Sequence, residues 1–184
     1  MNKTILALVL ATMSTMAQET NLASFTVNGK KMLDIVDKNK PNIQLAKILK
    51  VSDTDDVRST NEYGETVFIE SARNNNLAAM KMLVGTNLYS QNDFTISDKD
   101  GNTALLYAVR NGNIVMINLL SSHMKIDDYD HTNALGDSPI SLSKKTGGNV
   151  ETTIAGLVSE AHKKTLSKLV IIQADNSSMI LKRH

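Results

Sequence analysis

Residues 61–74, Asn-Glu-Tyr-Gly-Glu-Thr-Val-Phe-Ile-Glu-Ser-Ala-Arg-Asn, return at residues 98–111 as Asp-Lys-Asp-Gly-Asn-Thr-Ala-Leu-Leu-Tyr-Ala-Val-Arg-Asn. Glycine falls on glycine and threonine on threonine, at a constant offset of 37 residues from Gly64 to Gly101. Self-similarity at such a period belongs to stacked supersecondary units, each burying its apolar face only against its neighbours. It points to a binding surface before it points to an active site.

Each position in the doubled segment has a local reason. Gly64 and Gly101 stand where an extended chain must turn sharply into a helix. Thr66 and Thr103 follow as helix-start residues, because a hydroxyl there accepts from an orphan amide of the first turn. Phe68 and Ser71, like Leu105 and Ala108, lie three apart on one helical face, large then small, so that the next helix packs close. A polar turn follows, Arg73 to Asn76 or Arg110 to Asn113, in which Asn75 and Gly112 occupy equivalent places and tolerate a left-handed helix end. Leu77, Met80 and Leu83, and their counterparts Ile114, Ile117 and Leu120, then form the buried stripe of a second helix. Each unit is a helix hairpin joined to the next by an extended arm.

These units resemble ankyrin repeats. Asp98, Gly101, Thr103, Leu105, Ala108, Gly112, Leu119 and Leu120 match the family pattern directly, and Asp56-Val57 and Asp93-Phe94 fit its arm. Val67 and Ala104 replace the family's proline, and Ile69 and Leu106 its histidine. Loss of that histidine removes hydrogen bonds that usually tie adjacent units, which shifts the expected burden of stability onto packing. The resemblance implies an all-α solenoid of helix-turn-helix units with β-turn fingers and atypical ends.

A third unit reads from Asp128 to Val158, with Gly136-Asp-Ser-Pro139-Ile140 restoring the proline and Gly147-Gly148 as its inter-helix turn. The expected organisation is a leader at 1–17, one domain at 18–175 and a loose tail at 176–184. Within the domain the boundaries are a cap at 25–52, repeats at about 56–92, 93–125 and 126–160, and a C-terminal cap at 161–175 in which Leu166 to Ile172 covers the last repeat.

The leader has its own logic. Lys3 precedes an apolar run from Ile5 to Met13, and Ala17 is a small residue at which a signal peptidase cleaves. The expectation is a secreted or periplasmic protein. No later stretch approaches the ~18 apolar residues of a membrane span, so no membrane contact is expected after cleavage. Without Lys3 the 20 basic side chains become 19 against 19 acidic ones. That balance lacks the cationic excess needed to neutralise phosphates and argues against a nucleic-acid partner. The absence of cysteine excludes disulfides, thiol catalysis and thiolate metal sites.

No catalytic constellation emerges, and no cofactor is expected. A Gly-x-Ser-x-Gly elbow is missing, and the four histidines have no spacing that pairs them with a serine and an acid. Asp127, Asp130 and His131 concentrate ligand-type side chains, and a small metal-dependent hydrolase is the alternative they raise. Against it, neighbours on an extended arm point in alternating directions, and Pro139 stands where a calcium loop needs its last glutamate. A purely structural spacer is a third possibility. The leading expectation is a monomeric, non-enzymatic module that binds another protein. By family position, its contacts fall on the finger residues Glu62, Tyr63, Lys99 and Asp100. The same positions add the first-helix residues Arg73, Asn74, Arg110 and Asn111, with Tyr129 and His131 on a longer third finger.

Overall fold

The computed structural model describes residues 26–37 and 42–181; the expected leader lies outside them. Nine helices are described: α1 (Val27–Asp37), α2 (Asn42–Leu49), α3 (Thr54–Arg58), α4 (Val67–Arg73), α5 (Leu77–Val84), α6 (Ala104–Arg110), α7 (Ile114–Ser121), α8 (Pro139–Thr146) and α9 (Gly148–Leu181). Short 3-10 turns at Gln91–Phe94 and Ile126–Tyr129 complete the order, and no strand is present among the described residues. The fold is the all-α solenoid.

Two layers run the length of the stack. The inner layer is α1, α4, α6 and α8, each packed on the next, and the outer layer is α2, α5, α7 and α9. Their shared core holds the expected stripes: Phe68, Met80, Leu83, Leu105, Ile117 and Leu120 are all buried. Small residues at Ser71, Ala72, Ala79 and Ala108, likewise buried, let neighbouring helices approach.

The doubled glycine and threonine act as the spacing suggests, and the third unit repeats them. Asn61, Asp98 and Asn133 each open a tight finger, closed by hydrogen bonds from Gly64 N to Asn61 O, Gly101 N to Asp98 O and Gly136 N to Asn133 O at 2.9–3.0 Å. Gly101 shows the constraint: its φ is +79°, and a Cβ would stand 3.0 Å from Cα of Asn133 on the next finger. The hydroxyls of Thr66, Thr103 and Ser138 then accept from Ile69 N, Leu106 N and Ser141 N, which starts α4, α6 and α8. Between the paired helices, Asn75 takes φ +54° and Gly112 φ +66°.

The arms follow a second rule. Asp56, Asp93 and Asp128 accept from the backbone N–H groups of Asp53, Ser90 and Lys125, three residues earlier. The next residue, Val57, Phe94 or Tyr129, is driven into the core at 1% exposure. Phe94 joins Phe68, Tyr89 and His123 in an aromatic cluster in which the Phe94 and His123 rings stack at 4.3 Å. Adjacent arms are also clamped by Arg58, whose guanidinium donates to both carboxylate oxygens of Asp93 at 2.7 and 3.1 Å.

The C-terminal end differs from the expectation. Residues 161–175 do not fold back as a cap. They continue α9, a single helix of 34 residues, and Leu166 and Leu169 to Ile172 are exposed. Val150 and Ile154, at the start of α9, are buried as part of the third repeat's own outer helix. The helix also runs through 176–181, where a loose tail was expected.

Candidate functional site

Three fingers stand in a row, and backbone hydrogen bonds hold them in register. Lys99 N donates to Tyr63 O at 3.0 Å, and Ala134 N donates to Asp100 O at 2.8 Å. Asn133 adds a buried amide bond to Asn102 Oδ1 at 2.8 Å. This ladder leaves the side chains at the tips outside. Glu62, Lys99 and Asp100 are exposed, and Tyr63 is 62% exposed.

The third finger corrects the expected site. Its tip is Ala134-Leu135, two residues before Gly136 just as Glu62-Tyr63 precedes Gly64, and Leu135 is 80% exposed. The finger is no longer than the others. Tyr129 is not on it: it holds the same arm position as Val57 and Phe94 and is buried, so it cannot reach a partner. His131 is exposed, and its Nε2 lies 3.1 Å from Gly101 O, bridging the third arm to the second finger. Leu135 was legible from the position of Gly136, and the burial of Tyr129 from the recurring Asp-apolar pair at 56–57, 93–94 and 128–129.

Asn74 and Asn111 have become couplers between units. Asn111 Nδ2 donates to Ala72 O at 2.8 Å, and Asn74 Nδ2 donates to Val36 O at 3.4 Å, each reaching one inner helix back. Together with the finger ladder they supply cross-unit hydrogen bonds that the missing histidine would otherwise provide. The cations one residue earlier are tethered within their own unit. Arg73 pairs with Glu65 at 2.9 Å and with Glu70. Arg110 donates to Asn102 at 3.3 Å and lies 5.3 Å over the Tyr107 ring, and Lys145 pairs with Asp137. In all three units the end of the inner helix is fastened to the residue after the finger glycine. Arg73 and Arg110 keep exposed surface while so held.

Where the first finger meets α1, a groove of about 500 Å³ opens between Lys30, Asp34, Glu62, Tyr63 and Arg73. Buried Glu70 and its partner Asn61 line it, and a second buried carboxylate, Glu65, shares the Asn61 amide. Asn61 Nδ2 donates to both, at 2.7 and 3.1 Å, and Asn74 donates to Glu70 at 2.9 Å. Burial, and then the neighbouring Glu65, push the Glu70 carboxyl up to about 7, although Arg73 and Asn74 pull it down. Removal from water and a second carboxyl alongside both disfavour the charged form of Glu70. In the second unit the same places hold neutral Asn102 and Tyr107, with the Tyr107 hydroxyl donating to Asp98 at 2.8 Å; burial and Asp98 push that phenol up to about 12.

Asp127, Asp130 and His131 do not assemble into a metal centre. Among the described residues no group of three or more His, Asp or Glu side chains is placed to share an ion, and His131 is instead turned to the Gly101 carbonyl.

Of known families, the one described as ankyrin repeats (3 copies) matches residues 32–154. No curated protein matches the chain. The three fingers, the three capped inner helices and this match across the larger part of the sequence place the chain in the ankyrin-repeat family.

Proposed function

We propose that this is an exported, non-enzymatic protein, of bacterial origin and monomeric by itself, that holds another protein against its row of fingers and the adjoining face of the inner helices. Ankyrin repeats are in general protein-interaction modules, and a binding role follows from membership. The finer reading rests on one observation. The finger ladder presents two exposed apolar side chains, Tyr63 and Leu135, on either side of the charged tip Lys99-Asp100. Large side chains held on a rigid backbone lose little freedom on docking, and tyrosine and arginine are the commonest energetic anchors of interfaces. Arg73 and Arg110, already positioned by their own units, complete the face.

Glu62, Asp100 and His131 contribute the polar rim, where charge governs encounter and register more than affinity. Export rests on the leader sequence alone, with cleavage after Ala17 leaving Gln18 first. Two measurements test the proposal. Proximity labelling of the exported chain should enrich a protein, and Tyr63→Ala with Leu135→Ala should reduce capture at least tenfold while the melting temperature is unchanged. Undiminished capture by that double variant would place the interface elsewhere. Intact mass of the exported material should begin at Gln18, and a product that retains Met1 removes the export reading.

A further inference from the structure

Beyond Ala161 the last helix leaves the repeats. Val150 and Ile154 are buried, and Leu157, Val158 and Ala161 pack partly against the core. From Leu166 onward the described apolar side chains turn outward: Leu166, Leu169, Val170, Ile171 and Ile172 are 52–64% exposed. At about 100° per residue, Leu166 and Val170 lie roughly opposite Val150, Leu157 and Ala161, Leu169 lies to one side at about 80–120° from them, and Ile172 falls in line with Ile154. A further stacked unit would cover the line of Ile154 and Ile172 and leave Leu166 and Val170 uncovered. The exposed stripe is therefore a separate surface.

Its charge identifies what covers it. Between Glu160 and Asp175 the sequence carries Lys163, Lys164 and Lys168 and no carboxylate, and all three lysines are exposed. Lys164 and Lys168 face away from the apolar stripe and Lys163 borders it. The whole chain has a formal net charge of only +1, so this local excess is not a general bias. A second copy of the helix, in either direction, would set lysines near lysines with no acid on the segment to meet them. The same segment exposes Leu166 and Leu169 to Ile172, so its partner must take apolar side chains as well as positive charge. An anionic lipid surface meets both features, because its interfacial zone takes apolar side chains and its phosphates attract lysine.

We propose that residues 162–172 of α9 form a peripheral membrane-docking helix. Leu166, Leu169 and Val170 enter the interface of an anionic leaflet, Lys163 lies beside its phosphate headgroups, and Lys164 and Lys168 add long-range attraction from the polar face. The contact lies along the surface, since no helix among the described residues is long and apolar enough to cross a membrane. It revises the expectation of no membrane contact, which rested on the lack of a span, and it stands independently of the partner-binding face.

Vesicle flotation of the full chain tests this, using equal parts phosphatidylglycerol and phosphatidylcholine against phosphatidylcholine alone. The chain should float with the anionic vesicles, and the more so at low salt, where lysine–phosphate attraction is least screened. The triple variant L166Q/L169Q/V170Q should bind at least tenfold more weakly, and K163Q/K164Q/K168Q about fivefold more weakly per lysine. The apolar run Ile5–Met13 is present in every variant and cannot produce these differences. Both variants change exposed positions beyond the core, and unchanged melting curves verify the fold. Equal flotation of the parent and the apolar variant overturns the proposal, as does equal flotation with both vesicle types. A parent dimer in sedimentation that the apolar variant lacks, without flotation, overturns it in favour of a second copy.

Discussion

Glu70 is the residue at which sequence and environment conflict most sharply. A glutamate in the first turn of α4 reads as favourable to the helix dipole, yet it is 1% exposed and shares its site with Glu65. Its carboxyl rises from an ordinary 4.5 to about 7 in the fold. A raised acid contributes stability fully below its unfolded pKa, and that contribution is lost as pH climbs through the folded value. The melting temperature should therefore fall between about pH 4.5 and 7, with at most about 3 kcal/mol at stake from a shift of this size. Glu70→Gln keeps an oxygen that accepts from Arg73 and Asn74 and offers its N–H to Glu65, losing only the bond from Asn61 to the second oxygen, so it should flatten the fall in stability with pH. Parallel melting profiles for the two proteins would remove Glu70 from this role. The sequence concealed the pair because a carboxylate at a helix start is ordinary, and only the fold brings Asn61, Glu65 and Glu70 together. Asn74 and Asn111 carry a second meaning for a related reason: repetition at a helix end marks a surface, and it is also what a coupler between identical units requires.

At the scale of elements, the finger and helix start were legible because their chemistry is local: a positive-φ glycine and a hydroxyl cap follow from a few consecutive residues. The third finger follows the same local rule from Gly136, whereas an average repeat period displaces it onto the arm at Tyr129 and His131. The docking of α1 on α3 was not legible at all, since it depends on residues 30 apart. There Gly29 meets the arm: a Cβ on it would fall 2.3 Å from Ser59 Cβ and 2.6 Å from the Asp56 carbonyl oxygen. Thr26 reinforces the contact, its N–H donating to Ser59 Oγ at 3.1 Å. For Gly29→Ala two effects oppose each other. Helix propensity favours alanine by about 1 kcal/mol, whereas a clash with a backbone carbonyl cannot be relieved by rotating a side chain and costs typically 1–3 kcal/mol. The clash should win, lowering the melting temperature and raising amide exchange in α1 and α2 more than in α6 and α7. A variant as stable as the parent would mean that α1 does not seat on α3 this closely.

Across the whole molecule, stability is carried by nearest neighbours. Each inner helix packs on the next, and the ties that cross units, Asn111 to Ala72, Lys99 to Tyr63 and Arg58 to Asp93, each join one unit to its neighbour. A solenoid of this kind is a sum of units and interfaces, so a segment that makes no interface can be removed without cost to the rest. The end of α9 is such a segment: after Ala161, no described apolar side chain packs against the core. The apolar run from Leu169 to Ile172 suggested a cap because apolar residues at a repeat terminus usually cover it. Here Leu166 and Val170 are rotated away from Val150 and Leu157, and Leu169, Ile171 and Ile172 stay exposed. Ending the chain after Ala161 should therefore shift the melting temperature by less than about 2 °C, well under the 4–8 °C that a loss of 1 kcal/mol produces in a domain of 60–100 residues. The residues removed from 162 to 181 span about 30 Å as helix, so the maximum dimension from small-angle X-ray scattering should shrink by up to that length. A melting temperature lower by 5 °C or more, or an unchanged maximum dimension, would show that the distal part of α9 folds back onto the repeats.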